Sequence, residues 1–201
     1  CDFLVETSSG RRLHWELAVK CYLHAGDGRG LLSDFVGPNL RDRLDRKRSH
    51  LLDHQLRLSA REEITALGHP GPWLAQMFVK GWLFYRATAD APGDPLELAA
   101  GHSCGWWVTH AEWPGFAAAR PAARWSVLPR LGWLAPRRLA AQAGENEPPT
   151  EAPALFERLM RRSEPVMVAA FAAADDGYRE QSRGFIVPDD WPARARAFAH
   201  E

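Results

Sequence analysis

Cys1-Asp2-Phe3-Leu4-Val5-Glu6 and Leu13-His14-Trp15-Glu16-Leu17-Ala18-Val19-Lys20-Cys21-Tyr22-Leu23, joined through Thr7-Ser8-Ser9-Gly10, form the stretch that decides the architecture. Both runs are rich in β-branched, aromatic and aliphatic residues, and the residues between them carry turn chemistry, so the pattern predicts a β-hairpin. Residues two apart on a strand share a face, which puts Glu16, Ala18 and Lys20 on one side. The loop length then sets Asp2 opposite Glu16, with Cβ atoms about 5 Å apart. Two carboxylates that close make a seat for a hard divalent cation, magnesium or manganese, and a nearby lysine can stabilise an attacking hydroxide or a phosphate oxygen. On an unbroken strand Glu16 and Lys20 stand about 13 Å apart, so service to one metal requires a bulge. The alternative is a salt-bridged cluster on a half-exposed sheet face.

Beyond the hairpin, Gly26-Asp27-Gly28-Arg29-Gly30 reads as a flexible loop, and Gly37-Pro38-Asn39 sets up a helix over about Leu40 to Leu58 with Asn39 as its cap and Asp42 in its first turn. Leu44, Lys47, Leu51 and Gln55 share a stripe of that helix, so two polar groups lie on its core-facing side. They read either as substrate or supporting contacts, or as a lysine snorkelling from the edge and a glutamine bonding the backbone. Arg41, Arg43, Arg46, Arg48 and Arg57 make the helix basic and could steer a phosphate backbone, while Asp42, Asp45 and Asp53 favour a salt-bridged, solvated face. His50 and His54 have helical metal-pair spacing without a third ligand. His102-Ser103-Cys104 lacks the glycine pattern of a nucleophile elbow.

Strands are expected at Met77 to Tyr85, Gly105 to Thr109, part of Trp125 to Trp133, Val166 to Phe171 and Gly184 to Val187. Helices are expected near Ala154 to Arg162 and after Pro188. The composition of 141–153 is that of an exposed loop. Most of the nine tryptophans sit in apolar runs, which suits core packing better than base stacking.

With 201 residues, 46% of them apolar, the chain has room for one α/β domain spanning 1–201, a mixed central sheet flanked by helices. Twenty-five basic residues balance 25 acidic ones, so no global basic field advertises nucleic acid. Three scattered cysteines argue against a disulfide framework and for a reducing cytoplasm. No apolar run reaches the roughly 20 residues that a bilayer requires. The strand-like start at Cys1 leads us to expect a truncated N-terminus.

Asp2-Phe3-Leu4 followed by Glu16-Leu17-Ala18-Val19-Lys20 resembles the acid, strand and acid-x-lysine arrangement of the PD-(D/E)XK phosphodiesterase superfamily, with Ala18 standing where the motif carries its acid. The lysine strand, Gly37-Pro38-Asn39 with Asp42, Lys47 and Gln55, then Gly81-Trp82-Leu83-Phe84-Tyr85 and Arg183-Gly184-Phe185-Ile186-Val187, resembles the bacterial family catalogued as domain of unknown function 1853. The resemblance implies a restriction-endonuclease-like core and a magnesium- or manganese-dependent phosphodiesterase acting on DNA or RNA. In that reading Asp2 and Glu16 hold the metal, Lys20 orients the nucleophile, and Lys47 and Gln55 support substrate or metal. Its rival is a non-catalytic nucleic-acid-binding or protein-interaction module on the same fold. A third possibility is a structural part in a larger assembly.

Overall fold

A computed structural model describes residues 1–26, 30–89, 93–140 and 148–201. The chain opens with the expected hairpin, β1 (Phe3–Glu6) against β2 (Arg12–His24), in the antiparallel register Phe3↔Trp15 to Glu6↔Arg12. A two-residue strand, β3 (Phe35–Val36), folds back on the end of β2. The predicted long helix divides in two. Helix α1 (Leu44–Asp53) starts from Arg43 rather than Asn39, and a 3-10 helix over Gln55–Ala60 follows it. Leu40, at a positive φ of 53°, keeps the chain out of helical geometry between Asn39 and α1.

Short α2 (Glu62–Ala66) leads into β4 (Leu74–Arg86), which pairs parallel to β2 from Leu13↔Leu74 to Leu23↔Phe84. Then come β5 (Ser103–Thr109), α3 (Trp113–Ala118), β6 (Arg124–Val127), β7 (Arg138–Ala140), α4 (Ala152–Leu159), β8 (Val166–Ala174), β9 (Gly177–Val187) and α5 (Trp191–Ala199). The sheet order is β1-β2-β4-β5-β9-β8-β6, with β3 and β7 paired to β2 and β9. Pairings β2–β4, β4–β5 and β5–β9 are parallel and the others antiparallel, so the sheet is mixed, as expected. Strands β3 and β7 escape a sequence reading because two or three residues carry no period. The expected loop at 141–153 gives way by Thr150, which bridges to Trp125; residues 141–147 lie outside the described residues, as do 27–29 of the glycine-rich loop.

The sheet buries both faces at its centre. On one side Leu23, Phe84, Trp107 and Phe185 pack with Trp191 and Ala195 of α5; on the other, Val108, Val168 and Ile186 pack with Trp113, Trp125, Leu155 and Leu159. Tryptophans 107, 113, 125 and 191 are buried, which gives them the packing role. Toward β1 the faces diverge. Helix α1 covers one through Leu44 over Tyr22, Phe35 and Leu83, while on the other Phe3, Leu17, Val19 and Phe78 are 40–54% exposed. Among the described residues no helix is long and apolar enough to cross a membrane.

Candidate functional site

The alternation of β2 lays His14, Glu16, Ala18, Lys20 and Tyr22 on the face beneath α1. The register of the hairpin puts Asp2 opposite Glu16, and the Asp2 main-chain N–H donates to Glu16 Oε1 at 3.2 Å. Their side chains part company there. The exposed Asp2 carboxylate accepts the Leu17 N–H at 2.8 Å, whereas Glu16 is 1% exposed and turned inward.

Glu16 is held on all sides. His14 Nε2 lies 2.8 Å from Oε1, the Cys1 main-chain nitrogen 3.2 Å from the same oxygen, and Gln55 Nε2 donates to Oε2 at 3.0 Å. Lys47 Nζ in turn donates to Gln55 Oε1 at 2.9 Å. The two polar groups on the inner stripe of the helical segment therefore form a relay, lysine to amide to carboxylate. Ser59, from the 3-10 helix, fixes the other end by contacting His14 Nδ1 at 2.9 Å.

Lys20 belongs to a second group. The ladder between β2 and β4 runs without interruption from Glu16↔Met77 to Lys20↔Gly81, so no bulge draws Lys20 back toward Glu16. Lys20 Nζ pairs with Asp42 Oδ2 at 2.5 Å, and the Tyr22 hydroxyl donates to the same oxygen at 2.9 Å. Burial, then the charge and hydrogen bond of Asp42, push the Tyr22 hydroxyl far above its ordinary range, so it stays a donor. Gly81 beside Lys20 cannot be replaced freely: its φ is +141°, and a Cβ there would lie 1.7 Å from the Lys20 carbonyl oxygen.

Lys20, Tyr22, Lys47, Arg48 and Leu51 line a cavity of about 290 Å³ with Met77 and Val79 of β4. Arg48 has no ion-pair partner among the described residues. On either side of α1 two arginines are paired: Arg43 clamps Asp45 at 2.7 Å and the carbonyl of Ala199 at 3.0 Å, and Arg57 lies 3.9 Å from Asp53, while Arg46 of α1 lies over the Phe198 ring. The hydrogen bond and charge of Arg43 hold the Asp45 carboxyl below its usual range. Of the five arginines of this segment, Arg43 and Arg57 are thus ion-paired.

His50 and His54 are exposed with rings 5.2 Å apart, and no third ligand gathers with them among the described residues. His102 instead meets the Tyr85 hydroxyl at 3.1 Å, which donates to Asp94 at 2.6 Å. Burial and the Asp94 charge push the Cys104 thiol up, the opposite of what a nucleophile needs.

The sequence reading omitted His14, Ser59 and the pairing of Asp42 with Lys20. His14 was within reach, since it lies two residues before Glu16 on one face. Ser59 and Asp42 come from segments whose approach to β2 only the fold sets.

No curated protein and no solved structure matches the chain. A family model matches residues 1–187, and the chain belongs to that family, described as domain of unknown function (DUF1853).

Proposed function

We propose that this chain is a metal-dependent phosphodiesterase of the PD-(D/E)XK kind, with a restriction-endonuclease-like core, acting on DNA or RNA. The observation that carries the reading is the relay Lys47–Gln55–Glu16, which leads from a buried carboxylate to a cavity lined by Lys20, Lys47 and Arg48. A buried carboxylate costs several kcal/mol unless its oxygens are met, and this one is met by side chains that end at an opening whose largely apolar lining carries Lys20, Lys47 and Arg48 together with Glu97.

Glu16 would hold a divalent cation directly, and the exposed Asp2 carboxylate, which accepts the Leu17 N–H, would serve it from outside through water. Such a cation supplies Lewis acidity and a nucleophile at neutral pH. Lys47, fixed by Gln55 at the cavity wall, would neutralise charge developing on a phosphate oxygen bound there. Lys20, about 13 Å along the strand from Glu16, serves the phosphate backbone farther on; Asp42 and Tyr22 hold it in place.

Cleavage of labelled single- and double-stranded DNA and RNA with magnesium or manganese tests this. Wild-type protein should cut, and Glu16→Gln and Lys20→Ala should lose most of the rate. Undiminished cleavage in both variants removes these residues from the mechanism.

A second reading, nucleic-acid binding without cleavage, is favoured by Ala18 at the motif's acid position and by the donors already filling Glu16. Binding that weakens steeply with salt and yields no product would establish it.

A further inference from the structure

This inference rests on the reading of Glu16 as a cation ligand and names the class of cation. Cys1 Sγ, a ring nitrogen of His14 and a carboxylate oxygen of Glu16 all lie within 4.8 Å of one another, the one such group among the described residues. His14 and Glu16 are 0% and 1% exposed, while Cys1 is exposed, so two potential ligands are buried and the third opens to solvent.

Each buried group is also oriented from behind. Ser59 Oγ lies 2.9 Å from His14 Nδ1, and Gln55 donates to Glu16 Oε2 at 3.0 Å. Histidines and carboxylates that bind metals take outer partners of this kind, which fix the ring tautomer and the carboxylate plane. Two tautomers fit these distances: Nε2–H donating to Glu16 Oε1 with Nδ1 accepting from the Ser59 hydroxyl, or Nδ1–H donating to Ser59, which turns the Nε2 lone pair toward Glu16 Oε1 across 2.8 Å, the arrangement a bound cation selects. Two acceptors facing each other in a buried site need a proton or a cation between them. The side-chain amide of Gln55 and the main-chain amide of Asp2 are neutral and leave the carboxylate charge to the Cys1 main-chain nitrogen, 3.2 Å from Oε1, and to whatever lies between Glu16 and His14.

We propose that His14, Glu16 and Cys1 form a binding site for a borderline transition cation of the zinc class, with a further position open to water or a phosphate oxygen. Imidazole, thiolate and carboxylate together select zinc or cobalt over magnesium, which prefers oxygen ligands and keeps its waters. Three protein ligands with an open place is the pattern of a catalytic rather than a structural site. Asp2 stays outside the inner set, on the Leu17 amide.

The test is spectroscopic and independent of cleavage. Metal-free protein is titrated with Co²⁺ while the visible ligand-field bands and the near-ultraviolet thiolate-to-cobalt charge-transfer band are followed. One cobalt should bind per chain, displaced by Zn²⁺ and not by millimolar Mg²⁺. Cys1→Ser, a change at an exposed residue that leaves the core untouched, should lose the charge-transfer band and keep ligand-field bands. Ser59→Ala, which removes only an outer partner, should weaken binding about 10–100-fold, and His14→Gln at least as much. A spectrum that never saturates, displacement by Mg²⁺, or an unchanged charge-transfer band in Cys1→Ser overturns the assignment. If that failure accompanies magnesium-dependent cleavage, the phosphodiesterase reading stands without this site. Cobalt binding with no cleavage of any nucleic acid leaves the site standing and removes that reading.

Discussion

Arg183 on β9 and Glu16 on β2 are both buried charges of this sheet, and their surroundings differ in kind. Arg183 is 0% exposed and its donors are all taken: Nε and Nη2 by the Glu180 carboxylate at 2.6 and 2.9 Å, Nη1 by the carbonyls of Gly132 and Trp133, and Nη2 also by that of Ala135 at 2.7 Å. Its guanidinium lies over Trp82, 4.6 Å from the ring centroid. An ion pair closed in this way staples the 132–135 segment to β9 and leads nowhere. Among the described residues Glu16 has no arginine or lysine ion pair; its partners are a histidine, an amide and main-chain nitrogens, and they lead by way of Lys47 to a cavity. A guanidinium fully compensated by a carboxylate is architecture, and a carboxylate held by a histidine, an amide and main-chain nitrogens beside an opening is the candidate for chemistry.

That contrast can be broken most sharply at Arg183. Arg183→Met leaves Glu180 buried without its partner and should cost about 3–5 kcal/mol in denaturant unfolding, with Arg183→Lys recovering little because an ammonium cannot match the planar fork. A change below 1 kcal/mol would show that the two charges do not differ as argued. At the other centre, Gln55→Leu strands Glu16 Oε2 without a donor and should cost about 1–3 kcal/mol; the same variant should also cut nucleic-acid cleavage, where a purely structural amide would leave it intact. Lys47→Ala should barely move stability, yet lower the slope of log affinity against log salt for nucleic acid by about one. An unaltered slope would place Lys47 off the phosphate path.

The smallest effect belongs to Glu112, a half-way case between the two. Burial opposes its ionisation, but the Thr109 amide at 2.9 Å, the Thr88 hydroxyl at 2.8 Å and the Arg86 guanidinium at 2.7 Å together hold its carboxyl below the usual range. A depressed folded-state value stabilises above the ordinary glutamate pKa of about 4.3 and loses that contribution as pH falls through the lower folded value. Wild type should therefore exceed Glu112→Gln in thermal stability at neutral pH, and the two melting curves should converge in acid. A gap that persists at low pH would mean that shape, not charge, is what Glu112 contributes.

The hairpin, its register and the common face of Glu16 and Lys20 were legible because a strand's period of two and a short turn leave little choice. So was the inner stripe of Lys47 and Gln55, since helical spacing carries through a bend from α-helix to 3-10 helix. The helix start was misread because Asn39 satisfies the local preference for a cap while Leu40 adopts a left-handed backbone that stops propagation. Strands β3 and β7 are too short to carry a pattern, and they exist because neighbouring strands offer unpaired edges.

By itself, the sequence determined which residues could share a face: Glu16 with Lys20, Lys47 with Gln55, and His14 with both members of the first pair. It could do so because each relation is set by the repeat of one strand or one helix. The tertiary structure decided which of these faces meet. It brought Gln55 and Ser59 onto Glu16 and His14, drew Asp42 onto Lys20, and so divided one apparent site into two. Those contacts span 20 to 45 residues of chain, where sequence spacing no longer limits approach and the packing of α1 on β2 does.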